Sequence, residues 1–185
     1  MENRIPSRAE CHELMVQYSM LPNIVEHSKQ VMNVSLAITD NLKSGVLVNR
    51  NLIMAAALLH DITKTKSLET KEHHDTTGGA LLRELGFPDI AGIVEQHVII
   101  QNFNFEGRLE EREIVYYADK RVLHDTIVTI EERVQDLIQR YGTTEKIRNR
   151  ILQNKIQALA VERKIADSSA IQLDCAIPLI RGSAS

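Results

Sequence analysis

The sequence predicts an all-α fold, and three observations support this prediction. Apolar residues recur at helical spacing along the chain, with no convincing run of alternating apolar and polar residues. The 185 residues, 43% hydrophobic and 25% charged, have the length and composition of one ordinary globular domain. Glycine, proline and capping residues divide the chain into segments of helical length. We therefore expect a single helical bundle with a C-terminal helical extension.

The first three predicted helices begin at recognisable start signals. Residues 7–10 (SRAE) form a capping-box pattern that opens the first helix. Pro22 starts the second helix, and residues 43–45 (KSG) end it. Asn49 caps the third helix, whose apolar run ends at the His-Asp pair of residues 60–61.

Four further helices follow, separated by turns and one loop. The fourth opens at Asp75 or Thr76, and Gly86-Phe87-Pro88 closes it because glycine is a natural residue after a helix end and proline cannot continue a helix. Residues 100–108 (IQNFNFEGR) are predicted to form a loop. The fifth, sixth and seventh helices are predicted at about residues 89–99, 110–124 and 125–140.

Gly142 interrupts the helical pattern and marks the predicted boundary between body and extension. We assign residues 1–142 to the helical body and residues 143–185 to a long amphipathic helix with a short tail. This last helix is suited to packing on the body or to forming the seam of a homodimer. Its apolar positions at near-helical spacing are Ile147, Ile151, Ile156, Leu159 and Ile165.

Composition excludes several classes of function. A formal net charge of -3 gives no electrostatic reason to expect nucleic acid or an anionic membrane as the main partner. Cys11 and Cys175 are far apart, so we expect neither a disulfide framework nor a thiolate metal site. No segment approaches the length of a membrane span, and the first residues lack the apolar region of a secretory signal. We expect a cytoplasmic protein.

Single histidine and aspartate residues lie beside core-facing positions on successive predicted helices. In a helical bundle such residues can converge in the interior and bind metal. Any one of them alone is more often a cap or a hydrogen-bonded core group than a metal ligand. The set as a whole favours a metal site, and its members are His27, His60, Asp61, His74, His97 and Asp119.

The types of these side chains limit the metal and its chemistry. Imidazoles and carboxylates without a thiolate favour iron, manganese, cobalt, nickel or zinc. Asp61 has two carboxylate oxygens and could bridge two cations, which an imidazole nitrogen cannot do. Two divalent ions about 3.5–4 Å apart would polarise a phosphoryl group and generate a hydroxide nucleophile from water. With no serine or cysteine placed to attack, this hydroxide is the candidate nucleophile.

Four segments resemble the HD superfamily of metal-dependent phosphohydrolases, which are all-helical proteins named for a His-Asp pair. AAALLHDITK resembles the apolar helix that ends in HD-x-x-K, and HDTTGGALLRELGF (residues 74–87) resembles the segment with a histidine before paired small residues. IVEQH (93–97) and YYADK (116–120) are similar to the segments that carry a further histidine and the final aspartate. The resemblance covers roughly residues 20–125.

The resemblance implies a binuclear centre with two divalent ions in each chain. His73 competes with its neighbour as a ligand, and the spacing to Gly78-Gly79 favours His74. One-metal members of the superfamily generally lack equivalents of His74 and His97, so the presence of both favours two ions. The implied ligands are His27, His60, Asp61 and Asp119 for one ion, and Asp61, His74 and His97 for the other.

The resemblance also indicates candidate substrate-binding residues. Lys64 matches a lysine near the substrate phosphate, although it could simply complement the helix dipole. Lys120 and Arg121 could neutralise phosphate or lie on a solvated face. Phe103, like Phe105, could stack on a nucleobase or pin the loop to the core.

We therefore expect a hydrolase that acts on a phosphoester or phosphoanhydride of a small molecule, specifically a nucleotide, with Asp61 and Lys64 as catalytic residues. Residues 98–101 (VIIQ) are apolar where the diadenosine tetraphosphate hydrolases carry a Thr- and Gly-containing stretch, and the GYP motif of cyclic-di-GMP phosphodiesterases is absent. Three alternatives are a single-metal nucleotidase, a non-catalytic metal- or nucleotide-sensing module, and a structural helical domain.

Overall fold

The computed structural model describes residues 4–177, and its architecture is a helical bundle with one short hairpin. The all-α prediction is confirmed. The helices are α1 (Arg8–Gln17), α2 (Pro22–Asp40), α3 (Arg50–Leu59), α4 (Lys64–Thr70), α5 (His74–Glu84), α6 (Pro88–Val94), α7 (Glu111–Lys120), α8 (Ile130–Tyr141), α9 (Glu145–Ser168) and α10 (Leu173–Ala176). The antiparallel strands are β1 (Val122–Leu123) and β2 (Thr126–Ile127).

Local sequence signals set the starts of the early helices. Ser7 caps α1 in a complete capping box, because its hydroxyl accepts from Glu10 and the Glu10 carboxylate accepts from the Ser7 backbone N–H. The Asn49 side chain accepts from the backbone N–H groups of Asn51 and Leu52 at the start of α3. Each cap satisfies N–H groups that a helix cannot satisfy internally.

The core is centred on α2 and α3, which pack against each other, with α7 across both. Residues 55–59 of α3 are fully buried, and Val31, Val34 and Ile38 of α2 are fully buried as well. The small side chains of Ala55, Ala56 and Ala57 let neighbouring helices approach α3 closely. The end of α3 is therefore held deep inside the bundle, where the His-Asp pair follows.

The structure differs from the prediction at α4 and at the end of α6. The fifth predicted helix ends at Val94, about five residues early, and turns follow it. The His97 side chain bonds the Val94 carbonyl at 2.6 Å there, which stabilises a turn in place of another helical turn. The short helix α4 lies in a segment that the sequence left without a predicted element.

A β-hairpin replaces the predicted junction between the sixth and seventh helices at residues 124 and 125. The chain leaves α7 at Lys120, and Val122 and Leu123 pair with Ile127 and Thr126. The turn depends on His124, which adopts a left-handed backbone conformation with φ of 55°. Histidine is among the non-glycine residues that enter this region more readily than most.

The extension packs on the body in the described part of the chain. The Lys164 ammonium of α9 lies 2.7 Å from the Glu113 carboxylate of α7, and both side chains are buried. The Gln157 side chain bonds both backbone groups of Ile100, so α9 also anchors the loop at residues 100–108. The boundary at residue 142 stays a prediction, and part of the predicted tail, residues 178–185, lies outside the described residues.

The apolar stripe of α9 is divided between the core and the surface. Ile165 is fully buried and Ile151 packs against the core, whereas Ile156 is 61% exposed and Leu159 is 43% exposed. The predicted homodimer therefore stays a prediction. Between residues 4 and 177, no helix is both long enough and apolar enough to cross a membrane.

Candidate metal centre

Six side chains from five parts of the bundle meet in one place, and we call this set the ligand core. They come from the first half of α2, the residues directly after α3, the first residue of α5, the turn after α6, and the end of α7. All except one are buried, and the exception is partly exposed. The ligand core is His27, His60, Asp61, His74, His97 and Asp119.

One side of the ligand core gathers two imidazoles and two carboxylates. His27 Nε2 lies 3.1 Å from Asp119 Oδ1 and 4.0 Å from Asp61 Oδ2. His60 Nε2 lies 3.4 Å from Asp61 Oδ2 and 3.7 Å from Asp119 Oδ1. Two bonds of about 2.1 Å from one ion at 90–109° would separate their donor atoms by about 3.0–3.4 Å. The 3.1 Å and 3.4 Å separations fall in this range, and the other two are longer. Donor atoms of His27, His60 and Asp61 all lie within 4.8 Å of one another, so these three residues could share an ion.

The other side contains the remaining two imidazoles and the second oxygen of the same carboxylate. His74 Nε2 lies 3.2 Å from Asp61 Oδ1, and His97 Nε2 lies 3.6 Å from this oxygen. The two Nε2 atoms are 3.1 Å apart. Asp61 thus presents one oxygen to each side, so it is the common member of both groups.

Backbone carbonyls hold three of the histidines in one tautomer. His27 Nδ1 donates to the His124 carbonyl at 2.8 Å, His60 Nδ1 to Ala57 at 2.8 Å, and His97 Nδ1 to Val94 at 2.6 Å. Because a carbonyl can only accept, the proton resides on Nδ1 and the lone pair of Nε2 faces inward. Metal-binding histidines are oriented in this way by their second nitrogen.

Two atoms of the ligand core are buried without a hydrogen bond of acceptable geometry. They are His60 Nε2 and Asp61 Oδ1. A buried polar atom that is left unsatisfied costs about 1–3 kcal/mol. One divalent ion at each side would satisfy these atoms, so the donor set fits metal.

Electrostatics keep both carboxylates ionised. Burial opposes ionisation of Asp61, yet Lys64 and His60 hold its pKa well below the usual range. Burial likewise opposes ionisation of Asp119, and Lys120 and His27 hold its pKa well below the usual range. A deprotonated carboxylate is the form that binds a cation.

The pKa values of His60 and His97 shift in opposite directions. Burial opposes the charged form of His60, but the Asp61 and Asp119 carboxylates still raise its pKa. Burial lowers the pKa of His97. A neutral imidazole is the form that binds metal, so the lowered pKa of His97 favours binding, whereas the raised pKa of His60 opposes it in the metal-free protein.

Two lysines pair with the carboxylates from the open side. Lys64 Nζ lies 2.6 Å from Asp61 Oδ2, and Lys120 Nζ lies 2.8 Å from Asp119 Oδ2. Lys120 also donates to the His97 carbonyl at 2.7 Å, which links α7 to the turn after α6. Both lysines line the cavity in front of the ligand core, where sequence analysis expected a phosphate.

This cavity has a volume of about 620 Å³, and residues of α8 and α9 form part of its lining. Three arginines from these helices line it, and we call Arg133, Arg140 and Arg150 the cation wall. Sequence analysis did not identify them, because charged residues on an amphipathic helix are usually solvated. The only sequence signal is their position three to four residues from apolar residues that also line the cavity, such as Leu137 and Ile147.

Two predicted substrate-binding residues lie away from the cavity. Arg121 is buried, and its guanidinium donates to the Val128 carbonyl and to the Tyr117 hydroxyl, each at 2.6 Å. Phe103 packs against the core, with Lys164 Nζ 5.3 Å from its ring centroid. These contacts favour structural roles for both side chains, in the hairpin and in the anchoring of the loop.

Neighbouring residues at the start of α5 differ sharply in position. His74 enters the ligand core, whereas His73 is exposed and precedes the helix as its N-cap residue. Gly79 allows α5 to lie against the turn after α6, because a Cβ there would fall 2.3 Å from Glu95 Cγ. This close packing brings His74 to His97.

Sequence analysis also missed the role of His124. Its backbone carbonyl orients His27, and its side chain lines the cavity. Residues 122–127 are too short to give a strand periodicity, so the sequence offered no strong signal for the turn.

Comparison with known proteins supports this description. The HD domain model matches residues 24–123, which is more than half of the chain. A tRNA (cytidine(56)-2'-O)-methyltransferase from Thermoplasma volcanium is 32% identical over 95 residues, which are 51% of this chain and 26% of that protein. An uncharacterized protein from Methanocaldococcus jannaschii is 25% identical over 144 residues, which are 70% of this chain and 84% of that protein.

The chain covers very different shares of the two relatives. It spans about a quarter of the length of the methyltransferase and most of the length of the Methanocaldococcus protein. No solved structure gives a significant match. HD domains bind divalent metals, in agreement with the inward-facing histidine and aspartate atoms described above. On the family match, the helical fold and the His-Asp centre, the chain belongs to the HD domain family.

Proposed function

We propose that this protein is a metal-dependent phosphohydrolase that cleaves a phosphoester or phosphoanhydride of a nucleotide at a centre of two divalent ions. The division of Asp61 between two ligand groups carries the proposal. Its Oδ2 faces His27 and His60, while its Oδ1 faces His74 and His97. A carboxylate shared in this way is suited to bridging two ions.

The cavity in front of the ligand core supports attack by water. Divalent ions held by the ligand core would supply a hydroxide nucleophile near neutral pH and would neutralise charge on the phosphoryl oxygens. Among the described residues that line the cavity there is no serine, threonine or cysteine. A covalent intermediate on such a side chain is therefore disfavoured, and direct transfer of the phosphoryl group to water is favoured.

Two lysines have the position and charge to act on the substrate. Lys64 and Lys120 pair with Asp61 and Asp119 from the cavity side, so each ammonium can turn to a phosphate oxygen when the carboxylates bind metal. Positive groups that are already in place where charge develops stabilise the transition state. We assign catalytic roles to Asp61 and Lys64, and a phosphate-binding role to Lys120.

A nucleotide is supported by the size and lining of the cavity. About 620 Å³ lies within the usual range for small-molecule sites. Leu68, Leu137, Tyr141 and Ile151 provide apolar and aromatic surface in the same cavity as the cations. A ligand with both a phosphate and an aromatic base matches this combination.

The neighbouring histidines provide a direct test with a matched control. Purified protein loaded with manganese or iron is screened for phosphate release from a panel of nucleotides, alongside His74→Gln and His73→Gln. We expect turnover by the wild type and by His73→Gln, with a loss of about 100-fold or more in His74→Gln. Equal activity in all three proteins would contradict the proposed ligand set.

A single-metal nucleotidase is the alternative within the same class. In that case His74 and His97 would contact phosphate, and their Nε2 atoms, 3.1 Å apart, are close enough to bind one phosphate group together. His74→Gln would then weaken substrate binding while leaving the metal content unchanged.

A second candidate is a regulatory module that senses a metal or a nucleotide without turnover. The match to a tRNA methyltransferase favours it, because this chain covers only 26% of that relative. A related segment can therefore occur as a minor part of a protein named for different chemistry. Tight nucleotide binding without hydrolysis under any metal loading would support this candidate.

A further inference from the structure

The cation wall is not explained by the metal centre. Arg133, Arg140 and Arg150 come from α8 and α9 and line the same cavity as the ligand core. None of them belongs to either group of ligand atoms. The metal centre therefore does not explain why three arginines line this cavity.

Arg133 faces the cavity with an incomplete set of partners. Its Nε is buried and makes no hydrogen bond, and its terminal nitrogen is 3.3 Å from Asp136 Oδ2, at the long end of the range. It lies close enough to Lys64 and Lys120 to oppose their charged forms. Arg133 thus lines the same cavity as the two lysines that face the metal centre.

The other two arginines, Arg140 and Arg150, add positive charge to the same cavity. Arg140 shares Asp136 with Arg133, so one carboxylate serves two guanidinium groups. Within residues 4–177, the Arg150 side chain has no hydrogen bond or ion pair to another residue. The cavity consequently has more cationic than anionic side chains, even before a metal ion is counted.

A single phosphate would leave much of this charge without a partner. A phosphate at the ligand core is within the region of Lys64 and Lys120, whereas the cation wall is carried by the opposing helices. Guanidinium groups bind phosphate oxygens in a bidentate manner and hold their charge at all physiological pH values. Additional phosphates on the substrate would supply the missing anions.

We propose that Arg133, Arg140 and Arg150 form a second phosphate subsite, so the preferred substrate is a nucleotide with two or more linked phosphates. This inference rests on the proposed function, because it assumes that one phosphate lies at the metal centre. A nucleic acid strand fits less well. The chain has a net charge of -3, and these arginines line one cavity in place of an extended basic surface.

Binding of uncleavable probes tests the subsite without requiring turnover. Calorimetry on the metal-loaded full chain compares methylphosphonate with the bis-methylene analogue of triphosphate, whose P–C–P bridges resist hydrolysis. The variants are Arg150→Gln and Arg140→Gln/Arg150→Gln. The matched control is Arg163→Gln, because Arg163 is exposed on α9 but does not line the cavity.

We expect the triphosphate analogue to bind about tenfold more weakly to Arg150→Gln, and more weakly still to the double variant. Methylphosphonate should bind all four proteins within about twofold. An equal loss for both probes, or no loss for either, would overturn the subsite. Tighter, Arg150-dependent binding of a short single-stranded RNA than of the triphosphate analogue would also overturn it.

These results separate the subsite from the proposed function. Arginine-dependent binding of the triphosphate analogue with no hydrolysis of any nucleotide would support the subsite and remove the phosphohydrolase. Hydrolysis of nucleoside monophosphates with the same kcat/KM in wild type and Arg150→Gln, together with unchanged analogue binding, would keep the enzyme and remove the subsite.

Discussion

The ligand core and the cation wall face the same cavity, but they are held in place by different means. In the ligand core, His60 and Asp61 are fully buried, and backbone carbonyls orient three of the imidazoles. In the cation wall, the Arg140 side chain is 39% exposed and depends on one side-chain carboxylate. The proposed reaction thus falls to a buried part of the bundle, and the proposed selection of the substrate to a more exposed part.

We expect the largest effects when each region is changed in turn, on kcat for the ligand core and on KM for the cation wall. We expect Asp61→Ala to lower kcat by at least about 10³-fold, because the bridging ligand is lost. Arg150→Gln should raise KM for a nucleoside triphosphate about tenfold while kcat changes by less than about threefold. Steady-state kinetics on both variants measures the two effects. Loss of kcat in Arg150→Gln would break the comparison.

The next largest effect is expected on the free energy of unfolding, when the contact that attaches α9 to the body is removed. Lys164→Met leaves the Glu113 carboxylate buried and unpaired, which should lower the free energy of unfolding by about 3–5 kcal/mol. Lys155→Met on the same helix removes a solvent-accessible pair with Glu131 and should lower the free energy of unfolding far less, because water screens such a pair. Urea unfolding measures both values, and similar losses would show that the buried pair does not anchor the wall.

The carboxylates of the ligand core should make the metal-free protein sensitive to acid. Asp119 has a lowered pKa when folded, so its contribution to stability is complete above the unfolded value, near 3.8, and is lost as pH falls through the folded value. Each unit of lowering contributes about 1.4 kcal/mol. Between pH 7 and pH 3, Asp119→Asn should lose less stability than the wild type in urea unfolding. Equal losses would contradict a lowered pKa.

The smallest effect is expected on metal affinity, when the hairpin residue whose carbonyl orients His27 is changed. His124→Val places a branched side chain at φ of 55°, a conformation that L residues other than glycine adopt at a cost. We expect about tenfold weaker metal binding in this variant, because the His124 carbonyl orients a ligand. His124→Gly suits the same backbone and should bind metal nearly as well as the wild type. Equal affinities in the two variants would assign the hairpin no part in the site.

The sequence anticipated the ligand core more fully than the cation wall, and the reason is physical. Asp61 and Asp119 interrupt apolar stripes, so their burial in a helical bundle could be inferred from periodicity alone. Arg133, Arg140 and Arg150 lie on helices with ordinary polar faces. Their convergence depends on how α8 and α9 pack across the cavity, and local patterns do not specify that packing.

Local signals were reliable for the starts of the first three helices, but the seventh predicted helix begins at Ile130 and not at residue 125. Helix ends were predicted less well. The caps at Ser7 and Asn49 are present as predicted. The early end of α6 involves the His97 side chain, and the hairpin after α7 depends on a backbone conformation at His124. The His97 ring also contacts Asp61 and His74, and the His124 carbonyl accepts from His27. These partners are distant in sequence, so local helix propensity does not include them.

The number of metal ions per chain tests the central claim most directly. The full chain is purified without a chelator or a histidine tag, loaded anaerobically with manganese or iron, and analysed for metal beside Asp61→Ala and His73→Gln. The account predicts close to two ions in the wild type and in His73→Gln, with a marked loss in Asp61→Ala. No bound metal in the wild type, or the same content in Asp61→Ala, would contradict it.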